Sequence, residues 1–82
     1  MTQNYNIEMH FDDLPNNIDL GNKIAVDTET LGLNPNRDRL CLIQINSDNS
    51  KTHLIKIDKE VKLAPNLSKI LEDEKILKIF PF

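Results

Sequence analysis

Eighty-two residues bound this chain to one small domain that buries only a modest fraction of its surface. Ten Lys and Arg against thirteen Asp and Glu give a net charge of −3, which excludes a module that grips nucleic acid through a broad basic surface. The single cysteine, Cys41, excludes an internal disulfide and fits a reducing cytoplasm, and the sequence has neither an apolar run of membrane-spanning length nor a charged-then-apolar leader.

Met1 to Asn6 is polar, and Ile7-Glu8-Met9-His10-Phe11 alternates apolar and polar, which predicts a short edge strand with His10 on its polar, solvent-facing side. Asp12 to Asn22 holds Pro15, two Asn pairs and Gly21 and reads as a loop leading to the central strand, Lys23 to Thr30. The apolar run Ile24-Ala25-Val26 predicts that this strand is buried on both faces. Asn34-Pro35-Asn36 supplies turn chemistry before a second strand, Leu40 to Asn46, with Cys41, Ile43 and Ile45 on one face and Leu42 and Gln44 on the other. A third strand runs from about Thr52 to Ile57, with Leu54 facing opposite to Ile55 and Ile57 and with His53 expected at the surface.

The period then changes. Leu67, Ile70 and Leu71 stand at i, i+3 and i+4, and Pro65 suits a first helical turn, so Leu63 to Asp73 predicts a helix. Ile76 to Phe80 predicts a fourth strand, parallel to the first because a helical crossover precedes it. The class is α/β (mixed): an antiparallel three-stranded meander, one helix and a parallel fourth strand.

The unusual chemistry is Asp27-Thr28-Glu29 at the end of the first of these strands. Alternate strand residues share a face, so Asp27 and Glu29 point together while Thr28 points away. Their α-carbons are roughly 6–7 Å apart, a gap side chains can close onto one divalent cation or onto a pair about 3.5–4 Å apart. An arbitrary D-x-E is more often a solvated strand edge; the apolar run before this one favours carboxylates clustered around a cation.

Asp27-Thr28-Glu29-Thr30-Leu31-Gly32-Leu33, followed by Pro35-Asn36-Arg37-Asp38-Arg39-Leu40-Cys41-Leu42-Ile43-Gln44, resembles the first exonuclease motif of the ribonuclease D group of DEDD 3′–5′ exonucleases. Asp13-Leu14-Pro15, Ala64-Pro65-Asn66-Leu67 and Lys78-Ile79-Phe80 resemble further segments of the same domain, so the likeness extends over nearly the whole chain. It implies the N-terminal half of a ribonuclease H-like exonuclease fold, with residues 1–22 a lead-in and residues 23–82 a partial exonuclease domain.

The resemblance also implies a two-metal site for Mg²⁺ or Mn²⁺ held by four carboxylates. Asp27 and Glu29 would be the two catalytic metal ligands of the first motif. Thr30 would lie beside the terminal nucleotide and Leu33 against its base, although Leu33 also suits a half-buried turn. The implied substrates are single-stranded RNA 3′ ends, tRNA precursors among them. The family's other two acids follow the fourth strand, where this sequence has Phe80-Pro81-Phe82 and ends. The expectation is therefore a truncated 3′–5′ exoribonuclease, cytoplasmic and inactive or nearly so alone, with a non-catalytic remnant or regulatory piece that complements a partner chain as the alternative.

Overall fold

The computed structural model describes residues 6–31, 40–58 and 64–80, apart from the side chains of residues 30, 31, 40 and 41. Among the described residues five strands form one mixed sheet: β1 (Asn6–Phe11), β2 (Lys23–Leu31), β3 (Leu40–Ser47), β4 (Lys51–Ile57) and β5 (Leu77–Ile79), with one helix, α1 (Pro65–Glu72), before β5. The spatial order is β1-β4-β3-β2-β5. β2, β3 and β4 are the expected antiparallel meander, and β5 runs parallel to β2 through Lys23↔Leu77 to Ala25↔Ile79.

The parity of each strand decides which face it covers. Ile24 and Val26 of β2, Ile43 and Ile45 of β3 and Ile55 of β4 fall on one face and are buried. Leu67 and Ile70 of α1 pack onto this face together with Leu14, Ile18 and Leu20 of the 12–22 segment. Each fully buried Leu or Ile contributes about 1.5–3 kcal/mol, so this single layer supplies most of the driving force. The opposite face carries Ile7, Met9 and Phe11 of β1 and Leu77 and Ile79 of β5, all exposed.

Three expectations change here. β2 is interior, but the middle strand is β3, because β1 joins the far edge alongside β4 in parallel. β2 is buried on one face only: α1 and the 12–22 segment cover the side of Ile24 and Val26, and the side of Asp27 and Glu29 is exposed. β1 is an edge strand as expected, with its sides reversed. Its apolar residues Ile7, Met9 and Phe11 look outward, and its polar residues Glu8 and His10 lie on the covered face beside β4.

Polar contacts lock the 12–22 segment in place. The two Asp13 carboxylate oxygens accept the N–H groups of Asn66 (3.1 Å) and Leu67 (2.9 Å) at the start of α1. Ala64, the residue at the N-cap position, gives no side-chain cap, so Asp13 satisfies these donors from 53 and 54 residues away in sequence. Asn66 Nδ2 returns a bond to the Leu14 carbonyl at 2.8 Å. Gly21 has φ +76°, and a Cβ there would come within 2.8 Å of Asp48 Cβ, so both the turn and the close approach require glycine.

Candidate active site

Asp27 and Glu29 sit in the regular part of β2, opposite Gln44 and Leu42 of β3. Two residues apart in an unbroken strand, they share the open face, and both side chains are exposed. The geometry explains why carboxylates are tolerated there. Ile24 and Val26, of the opposite parity, carry the packing, so neither acid has to leave water.

β2 outruns its parallel neighbour. The ladder with β5 ends at Ala25↔Ile79, so the acids lie beyond it, past the carboxyl end of a parallel strand pair. That is where α/β sheets commonly place their ligands. Hard oxygen donors on one exposed face suit Mg²⁺ or Mn²⁺, which coordinate carboxylates while retaining water. Thr30 is in β2 opposite Cys41, and its side chain is outside the described set. Leu33 and the turn around it lie outside the described residues.

A second titratable group lies on the covered face, at the β1–β4 seam. The parallel register sets Glu8 beside His53, with His10 two residues further along β1. His10 Nε2 and His53 Nδ1 are 2.9 Å apart and the rings stack at 5.1 Å. Glu8 Oε2 is 3.6 Å from each of those nitrogens, while its Oε1 accepts from Lys51 Nζ at 2.8 Å. The Lys51 hydrogen bond holds the Glu8 carboxyl below its ordinary pKa. Burial, reinforced by the adjacent His10, holds His53 below the usual histidine value and favours its neutral form.

His53 is thus buried, with 2% of its surface exposed, where a surface position was expected. The reason is its parity: His53 is in phase with Ile55, which lies in the core. His10 is half-buried for the same reason on the partner strand. The parallel pairing that joins them spans 43 residues and leaves no local sequence signal.

The chain belongs to the 3′–5′ exonuclease family, whose profile matches residues 3–82. Among solved structures it is similar to Brucella melitensis NrnC bound to pGG, with 48% identity and a TM-score of 0.80 over 96% of this chain and 39% of that one. It is also similar to Brucella melitensis NrnC with bound Mg²⁺ (49% identity, TM-score 0.78, 94% of this chain and 39% of that one). A third likeness is to a structure described as the apo form of the nuclease (41% identity, TM-score 0.77, 93% and 38%). The chain therefore spans about two-fifths of the length of these nucleases. The comparison with curated proteins returned no match. Among the described residues no helix is long and apolar enough to cross a membrane.

Proposed function

We propose that this chain carries the first acidic motif of a ribonuclease D-like 3′–5′ exoribonuclease, with Asp27 and Glu29 as catalytic metal ligands. The observation that carries this reading is the placement of both acids on one exposed face, beyond the end of the β2–β5 ladder. Divalent Mg²⁺ or Mn²⁺, when bound, supplies charge stabilisation at the scissile phosphate and a more acidic water. Asp27 and Glu29 hold that charge at the strand end, Thr30 sits beside the 3′-terminal nucleotide, and Leu33 props its base. Residues 1–22 serve as the lead-in and residues 23–82 as the exonuclease portion.

The substrate of this reading is the 3′ end of single-stranded RNA. The pGG seen on Brucella melitensis NrnC supports a short nucleic-acid end as ligand, and the Mg²⁺ on the same protein supports the metal. tRNA precursors are the longer substrates the reading allows. The reading requires four carboxylates, of which Asp27 and Glu29 are the two of the first motif.

The test is reconstitution. The purified chain, with Mg²⁺ or Mn²⁺, is expected to leave a 5′-labelled RNA oligonucleotide intact. Adding the portion of Brucella melitensis NrnC that follows the matched region is expected to produce stepwise 3′ shortening, abolished by Asp27→Asn. Trimming by the reconstituted pair that survives Asp27→Asn would remove Asp27 from the chemistry. A second reading, a non-catalytic piece that docks on a partner, draws on the exposed Leu77, Ile79 and Phe80 at the β5 edge. Tight association with the added segment and no shortening would favour it.

A further inference from the structure

We propose that Glu8, His10 and His53 form a second metal site, separate from the acids of β2, that takes a nitrogen-preferring divalent ion such as Zn²⁺ across the β1–β4 seam. Three donor atoms converge without rearrangement of the strands. His10 Nε2, His53 Nδ1 and Glu8 Oε2 form a triangle with edges of 2.9, 3.6 and 3.6 Å. Donors bound to one tetrahedral Zn²⁺ at about 2.0–2.1 Å lie roughly 3.3 Å from one another. The triangle is close to that size: its His–His edge has to lengthen slightly and its two edges to Glu8 to shorten slightly.

The donor chemistry matches the geometry. Two imidazoles and one carboxylate suit zinc or cobalt, whereas Mg²⁺ prefers oxygen ligands and resists dehydration. His53 sits at the bottom of the site, 2% exposed, and its neutral form is the one that ligates. Glu8 is partly exposed at the rim, which gives an ion a way in and leaves the fourth position to water. Lys51 neighbours the site but is hydrogen-bonded to Glu8 Oε1, leaving Oε2 for the metal and orienting the carboxylate.

Binding requires a tautomer change at one of the two rings. In the metal-free seam one ring N–H donates to the other ring. With the ion bound both facing nitrogens are lone-pair donors, so His10 carries its proton on Nδ1 and His53 on Nε2. The consequence is mechanical. β1 is an edge strand held by one neighbour, and a bound ion would clamp it to β4 across 43 residues of sequence. The acids of β2 are on the opposite face, two strands away, so the two sites are independent.

Titration of the full chain with Co²⁺, followed by visible absorption, tests the assignment. The expected result is one equivalent bound with the intense bands of tetrahedral cobalt, displaced by Zn²⁺ and not by excess Mg²⁺. Glu8→Gln and His10→Ala, checked for retained fold by circular dichroism, are expected to weaken binding at least tenfold, and the double variant Asp27→Asn/Glu29→Gln to leave the bands unchanged. Zn²⁺ is expected to raise the melting temperature of the parent chain and not that of His10→Ala. No tetrahedral bands in the folded parent chain would overturn the proposal. So would bands that persist in both Glu8→Gln and His10→Ala, or bands lost in the β2 double variant.

Discussion

The two faces of the sheet are built from alternate residues of the same strands, yet they do different work. On the covered face Ile24, Val26, Ile43, Ile45 and Ile55 meet Leu67 of α1 and hold the fold together. On the open face the same strand β2 presents Asp27 and Glu29, whose side chains are exposed. A period of two residues lets chemistry sit one residue away from the core without disturbing it. The difference makes a sharp demand: substitutions on one face should cost stability, and on the other only function.

The largest effect on stability is expected from Ile45→Ala or Ile55→Ala. Both side chains are 0% exposed, and truncation should cost about 2–5 kcal/mol, measured by urea denaturation. For a chain this small that is a large share of its total stability. In contrast, Asp27→Asn should leave the denaturation midpoint within about 0.5 kcal/mol of the parent, as exposed substitutions generally do. A large loss of stability in Asp27→Asn would break the division between faces.

Gly21→Ala comes next. The positive φ and the 2.8 Å approach to Asp48 Cβ leave no room for a methyl group, and the substitution should cost about 1 kcal/mol or more by the same measurement. Asp13→Ala removes the distant cap of α1 and should cost about 0.5–2 kcal/mol, visible as fraying of helix amides in hydrogen exchange.

The smallest effect is a pH dependence of that same contact. Burial works to raise the Asp13 pKa, but the bonds from Leu67, Asn66 and Leu14 N–H groups outweigh it, and the net shift is downward. A depressed folded pKa means the unfolded chain binds the proton first as pH falls. The Asp13 contribution is thus fully present above the ordinary carboxylate range and fades as pH drops through that range toward the lower folded value. Asp13→Asn should flatten this part of the stability profile, as followed by thermal melts between neutral and acid pH.

Much of this division was legible in the sequence, and the exceptions have physical causes. The meander and the helix could be read because their signals are local: alternation in Leu40–Asn46 and Thr52–Ile57, then the i, i+3, i+4 spacing of Leu67, Ile70 and Leu71. Asp13-Leu14-Pro15 and Ala64-Pro65-Asn66-Leu67 stood out as separate resemblances, and the structure joins them: Asp13 caps Asn66 and Leu67, while Leu14 and Leu67 share the core. The parallel pairing of β1 with β4 was not legible, because partners 45 residues apart leave no period in the chain. Without that pairing, Glu8, His10 and His53 look like three unrelated polar residues. The one-sided burial of β2 was open to misreading for a different reason. Ala25 is short enough to pass for core, although it shares its parity with the acids.

The proposed gathering of a divalent cation by Asp27 and Glu29 on the open face is tested most directly by Mn²⁺-induced line broadening in an amide correlation spectrum of the ¹⁵N-labelled chain. Weak binding is expected to broaden Asp27, Glu29 and their β3 partners Leu42 and Gln44, with the effect on β2 and β3 removed by Asp27→Asn/Glu29→Gln and any broadening at the β1–β4 seam retained. Broadening of β2 that persists in the double variant, or none at Asp27 and Glu29 while Mn²⁺ binds elsewhere, would contradict it.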